Sequence, residues 1–125
     1  MSPTFTDREL DVMAVLWERG SATVREVQER LEPDLAYTTV LTVLRTLEAK
    51  GHVRHEPQGR AHRYFATVER DAAGASALRR LVSRVFEGSP EALLTQLVSD
   101  EELSEEELRR LRRTLDARLG EEADR

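Results

Sequence analysis

The sequence contains no cysteine. Disulfides, thiolate metal sites and cysteine nucleophiles are therefore excluded at the outset. Aromatic residues make up only 5% of the 125 positions, so leucine, valine and alanine must supply any core, which favours a helical fold. No apolar run approaches the roughly 20 residues needed to cross a bilayer. The opening residues, MSPTFTDRELD, show no basic segment followed by an apolar one, and the expectation is a cytoplasmic chain with no signal peptide and no membrane insertion. Lysine is almost missing too: Lys50 is the only one, and arginine carries the remaining positive charge. No Gly-x-Ser-x-Gly, phosphate-binding loop or metal-binding helix motif occurs, so no catalytic residue, metal ligand or cofactor is assigned. The carboxylates of residues 100–107 read as helix caps and a solvated face, not as paired acids of a hydrolase.

What is present is unevenly distributed. The chain is 34% charged with a formal net charge of −5, which looks wrong for a nucleic-acid binder. Residues 35–66, however, carry Arg45, Lys50, Arg54, Arg60 and Arg63 against Glu48 and Glu56, a local +3, while residues 71–125 carry nine arginines against thirteen acidic residues, a net −4. The positive field is confined to one stretch, and placement matters more than the sum.

Helix boundaries are legible. Thr6-Asp7-Arg8-Glu9, Thr23-Val24-Arg25-Glu26 and Ser104-Glu105-Glu106-Glu107 are capping boxes, in which a hydroxyl accepts from a backbone N–H while the glutamate reaches back. The first opens a helix with Leu10, Met13, Ala14 and Trp17 on one face, flanked by Val12 and Leu16 and stopped by Gly20. The second opens a short helix burying Val24, Val27 and Leu31. Pro33-Asp34 breaks the chain, and a third helix runs from about Ala36 to Lys50, ending at Gly51. His52–Gln58 and Ala61–Ala66 predict two strands around Gly59-Arg60, with Pro57 suited to an edge. Such a hairpin is marginal alone and must lean on the helices through Val53 and Tyr64.

Three further helices follow. The fourth starts at Asp71 and stops at Gly88, with Ala75, Leu78, Leu81, Val82, Val85 and Phe86 as its stripe. The fifth opens with Ser89-Pro90 and presents Leu93, Leu94, Leu97 and Val98. The sixth repeats Leu108, Leu111, Leu115 and Leu119 and closes at Gly120. The expected fold is mainly α with a small β-hairpin: a winged helix-turn-helix over residues 1–70, a helical dimerisation segment over 71–120 and a frayed tail over 121–125.

The third helix carries the functional signal. On a wheel, Val40, Val43, Leu44 and Leu47 cluster on one side. Thr38, Thr42 and Arg45 project from the other, with Thr39 and Thr46 at its margins. Solvated helix faces favour Glu, Lys and Gln; threonines there lower helix propensity because β-branching restricts χ1. Their hydroxyls can bond phosphates or base edges, and their methyls can meet the thymine methyl. Arg60, beside Gly59 at the hairpin tip, suits a phosphate or a narrow minor groove.

With these features in hand, the chain strongly resembles the penicillinase-repressor family of bacterial winged-helix regulators, which includes β-lactam-responsive and copper-responsive repressors. The matching segments are TDRELDVMAVLWERGSATVREVQERL (6–31), LAYTTVLTVLRTLEAKGHV (35–53), GRAHRYFA (59–66) and GSPEALLTQLVSDEELSEEELRRLRRTLD (88–116). The resemblance implies a homodimeric repressor that binds double-stranded DNA at an inverted-repeat operator. It assigns DNA contacts to Thr38, Thr39, Thr42 and Arg45 of the third helix and to Arg60, His62 and Arg63 of the wing. It assigns dimerisation to the C-terminal helices, whose stripes hold Leu78, Leu81, Val82, Val85, Leu94, Leu97, Leu108, Leu111 and Leu115. Residues 71–120 are too few to bury three amphipathic helices alone, whereas two copies can. The absence of cysteine excludes copper sensing through the family's paired C-terminal cysteines. β-Lactam-responsive members are cut at an Asn-Phe bond on induction, and a membrane sensor protease is the partner this implies. Gln96-Leu97 stands at that place here instead of Asn-Phe, which leaves the β-lactam stimulus unassigned; as the candidate cleavage region it lies in the fifth helix, where a cut would release DNA by disrupting the dimer core.

Two other binding readings stay open on the residues alone. His52, His55 and His62 with Glu56 could make a metal-sensing wing, although His52 and His55 should point to opposite faces of a strand. Winged helices also serve as protein–protein adaptors; DNA binding would weaken steeply with salt, whereas a leucine interface would not.

Overall fold

Both N-terminal capping boxes form as the sequence predicts. In the computed structural model, which describes residues 4–31 and 34–123 and, for residues 122 and 123, the backbone alone, Glu9 N donates to Thr6 Oγ1 at 3.1 Å and Thr6 N donates to Glu9 Oε1 at 2.8 Å. Helix α1 spans Asp7–Arg19 from that cap to Gly20 at φ 88°. Thr23 and Glu26 repeat the exchange at 3.2 and 2.9 Å and open helix α2, Val24–Arg30. Gln28 Nε2 of α2 donates to Leu35 O at 2.9 Å. Pro33 lies outside the described residues. Helix α3 spans Tyr37–Ala49, with Ala36 and Lys50 at its ends.

The sheet has one strand more than the sequence predicts. Besides β2 (Val53–Gln58) and β3 (Ala61–Ala66), the residues between the first two helices form β1, Ser21–Thr23. The order is β1-β3-β2, antiparallel throughout. β1 pairs Ser21 with Phe65 and Thr23 with Arg63, so β3 is the central strand and the hairpin is not left as an isolated pair. Pro57 stays on the outer strand, where a missing N–H costs no ladder bond. Val53 and Tyr64 are both buried, as the sequence requires of a hairpin that leans on helices.

The core gathers Val12, Met13 and Leu16 of α1, Val24 and Val27 of α2, Val40, Leu44 and Leu47 of α3, and Val53 and Tyr64 of the sheet. Ala14, expected on the inner face of α1, is exposed; Val15 is buried instead, and Leu10 and Trp17 are half-buried. The reason is that α1 packs against α3, α2 and the sheet together, so its buried arc is wider than one stripe and centred on Val12 and Leu16.

Two compact units result, Met1–Arg80 and Leu81–Arg125. The division falls within helix α4, Arg70–Val85, ten residues beyond the boundary expected from the sequence. The first half of α4 belongs with the winged helix: Trp17 Nε1 donates to Val68 O at 2.9 Å, and the Arg70 guanidinium lies 5.8 Å from the centroid of the Trp17 ring. Its buried residues are Ala73 and Ser76, while Ala75, expected in the stripe, is exposed. The second unit holds helices α5 (Pro90–Val98) and α6 (Glu105–Ala123). Ser89 caps α5, with Pro90 in its first turn, and the Ser104–Glu107 capping box closes at 3.1 and 3.2 Å. Gly120 does not stop α6, which runs on to Ala123; glycine weakens a helix interior but ends a helix only where the chain takes up the left-handed conformation. Among the described residues of this unit none is buried.

Candidate nucleic-acid interface

The polar side of α3 is open to solvent. Thr38, Thr39, Thr42, Arg45 and Thr46 are all exposed, while Val40, Leu44 and Leu47 on the opposite side are fully buried and fix the helix against α1 and α2. Thr42 Oγ1 donates to Thr38 O at 2.9 Å. Its proton is therefore committed to the helix, and it presents acceptor lone pairs and a methyl group outward.

The far end of α3 is pinned by charge. Lys50 Nζ donates to Glu9 Oε1 at 2.8 Å, so one carboxylate both caps α1 and holds the end of α3. Burial pushes the Glu9 carboxyl up. The Lys50 ammonium and the Thr6 donors outweigh it and leave the pKa below the ordinary glutamate value. Glu48 of α3 meets His55 Nδ1 of β2 at 2.6 Å, tying the wing to the same helix.

The wing projects from this base. Gly59, at φ 61°, takes the first position of the two-residue turn between Gln58 and Ala61. A positive φ there is the pattern of a type II′ hairpin and leaves Arg60 an ordinary backbone conformation at the tip. Arg60 and His62 are exposed, and the His62 ring stacks on His55 with centroids 4.3 Å apart. Arg63 is turned inward: it donates to Gln58 Oε1 at 2.5 Å, Ser21 Oγ at 3.1 Å and Glu26 Oε1 at 3.0 Å. That network binds the wing to β1 and to the cap of α2. Thr23's backbone N–H, and then Arg63 and Arg19, outweigh burial and hold the Glu26 carboxyl below its usual value. The histidines do not converge, since His52 packs on Phe5 while His55 faces His62. No group of three potential ligands able to hold a metal forms among the described residues.

Charge pairing separates one surface from the rest. Of the nine cations between residues 4 and 66, Arg8, Arg19, Arg30, Lys50, Arg54 and Arg63 each meet a carboxylate. Arg25, Arg45 and Arg60 have no carboxylate partner among the described residues. Sequence reasoning singles out Arg45 and Arg60 but misses Arg25, hidden inside a capping box. It also misses Tyr37, the first residue of α3, which is 44% exposed. Arg25, Tyr37, Arg60 and His62 together line an open cleft of about 440 Å³ between the start of α2, the start of α3 and the wing tip. No helix among the described residues is long and apolar enough to cross a membrane.

Comparison with known proteins agrees with this architecture. The family model described as penicillinase repressor matches residues 5–117. The chain is 26% identical over 116 residues to the penicillinase repressor of Bacillus licheniformis, covering 91% of each protein. It is 40% identical over 113 residues to the transcriptional regulator BlaI of Mycobacterium tuberculosis (strain ATCC 25618 / H37Rv), covering 87% of this chain and 80% of that protein. The solution structure of the DNA-binding domain of the repressor BlaI superposes with a TM-score of 0.52 at 30% identity, covering 58% of this chain and 90% of that one. The winged-helix fold is shared with YusO of Bacillus subtilis, at 24% identity and a TM-score of 0.53 over 93% of this chain and 74% of that one. A family match spanning nearly the whole chain, on a fold that exposes the threonine face of α3 and carries a wing arginine with no carboxylate partner among the described residues, establishes that the chain belongs to the penicillinase repressor family of transcriptional regulators.

Proposed function

We propose that this chain is a dimeric repressor that reads an inverted-repeat operator, with α3 in the major groove and the wing on the adjacent backbone. The observation that carries the reading is the exposed face of Thr38, Thr39, Thr42 and Arg45 together with the exposed wing residue Arg60, both arginines being without a carboxylate partner among the described residues where neighbouring cations have one. A cation already paired gains little from a phosphate; an unpaired one is free to displace counterions. Thr42 and Arg45 meet base edges, and Arg60 and His62 approach the phosphates. Arg63 supports the wing from within.

Dimerisation is supported by the lack of a buried residue among the described residues of the second unit and by its exposed apolar side chains, Leu81, Val85, Leu94, Leu97, Val98, Leu115 and Leu119. So many large apolar groups on a unit with no core of its own call for a partner surface, and a second copy brings the same stripes. Two reading heads then address half-sites about one helical turn apart. An upstream signal releases the DNA. A cut at Gln96-Leu97 by a membrane sensor protease is one such route, and because both residues lie within α5 that turn must open first.

The test is binding of the full chain to a palindromic duplex from its own promoter region and to a scrambled duplex, across a salt series. A preference for the palindrome, with affinity falling steeply as salt rises, is expected. Equal, salt-insensitive binding to both, or none, overturns the reading.

A further inference from the structure

The cleft between α2, α3 and the wing tip has a chemistry that the threonine face does not explain. Arg25 enters it from α2 and Arg60 from the wing, and neither has a carboxylate partner among the described residues. Among the described residues before Leu78, Tyr37 is the one large apolar side chain left exposed. Most other large apolar groups of the winged helix are sheltered in its core or against it, and Leu10 and Phe65 are half-buried. Two unpaired guanidiniums and an open phenol ring around one concavity match a sugar–phosphate unit: planar forks for phosphate oxygens and an apolar ring face for the sugar. The partly enclosed shape also concentrates the positive field of the arginines.

We propose that this cleft seats one stretch of the operator's sugar–phosphate backbone, with Arg25 a phosphate-contacting residue alongside Arg60 and Tyr37 packing its ring on a deoxyribose. The proposal rests on the DNA-binding reading above and extends the contact surface from α3 and the wing to α2. Because phosphates carry no sequence information directly, the cleft contributes affinity and register, not base preference.

The experiment uses the full chain, fluorescence anisotropy, and two duplexes of equal length, one from its own promoter region and one scrambled. Arg25→Ala is expected to make the salt slope shallower by about one on both duplexes. Between about 50 and 200 mM salt that is a loss of affinity about 3.5-fold smaller than for the unsubstituted chain. The ratio of the two affinities stays unchanged, and Arg25→Lys restores the slope. Tyr37→Ala weakens both duplexes equally without altering the slope, whereas Tyr37→Phe binds as the unsubstituted chain does. Arg79→Ala, on the exposed side of α4, leaves every value unchanged. An unaltered slope for Arg25→Ala, with steep salt dependence still present in the unsubstituted chain, overturns the cleft and leaves the repressor reading standing. A change in the affinity ratio with Tyr37→Ala makes that residue a base reader and overturns its packing role. If the unsubstituted chain ignores both duplexes at low salt, both readings fail together.

Discussion

Glu9 joins a helix cap to the end of α3, so its loss should be felt at two places at once. In Glu9→Ala the capping box loses its returning carboxylate, worth about 1 kcal/mol. The charged hydrogen bond from Lys50 goes as well. Such bonds are worth about 1.5–3 kcal/mol when sheltered. Lys50 keeps 36% of its side chain exposed and rehydrates on release, so the lower figure applies. The expected destabilisation is about 2.5 kcal/mol. Glu9→Gln keeps an oxygen for the Thr6 N–H and loses only the ionic part, about 1.5 kcal/mol. Urea unfolding at fixed protein concentration measures each, because the stability of the proposed dimer depends on concentration. A cycle of Glu9→Gln, Lys50→Met and the double variant isolates the pair, with a coupling of about 1 kcal/mol expected. The pH dependence has a definite sign. The folded Glu9 pKa lies below its ordinary value, so the pair contributes fully above the ordinary glutamate range and fades as pH falls through the lower folded value. The gap between the unsubstituted chain and Glu9→Gln should therefore close in acid. A coupling under about 0.3 kcal/mol, or a gap indifferent to pH, would refute the reasoning.

Other outcomes follow from the same geometry. Thr42→Val removes an acceptor whose hydrogen already bonds Thr38 O but keeps the methyl; operator affinity should fall by about 1 kcal/mol with relaxed sequence preference, and equal losses on scrambled DNA would contradict base reading. Arg63→Ala should lower stability by about 1–2 kcal/mol by breaking the bonds to Ser21, Gln58 and Glu26 and leave the salt slope of the folded protein unchanged; a slope lowered by about one would make Arg63 a phosphate contact instead. Leu115→Asp replaces a side chain that is 47% exposed in the single chain, so circular dichroism should change little while sedimentation shifts to monomer; a persistent tight dimer would remove α6 from the interface.

Much of this protein follows from local chemistry in its sequence. Capping boxes, Gly20 and the Ser89-Pro90 pair work through atoms a few residues apart, so the helix starts at Asp7, Val24, Pro90 and Glu105 needed no fold to be read. The opposition of threonine and aliphatic faces on α3 is likewise a consequence of helical period alone. The tertiary structure decided the rest. Ser21–Thr23 is a strand only because β3 lies beside it, three residues being too short to announce themselves by alternation. Ala73 and Ser76 displaced Ala75 as the buried positions of α4, and Val15 joined the core, since burial depends on which neighbours surround a helix and not on its own stripe. Above all, pairing is a long-range property: the sequence counts arginines, but only the folded chain brings Glu26 to Arg63 and Glu9 to Lys50 while leaving Arg25, Arg45 and Arg60 with no carboxylate among the described residues. Charge in sequence is additive, whereas charge available to a partner is what remains after the fold has neutralised its own.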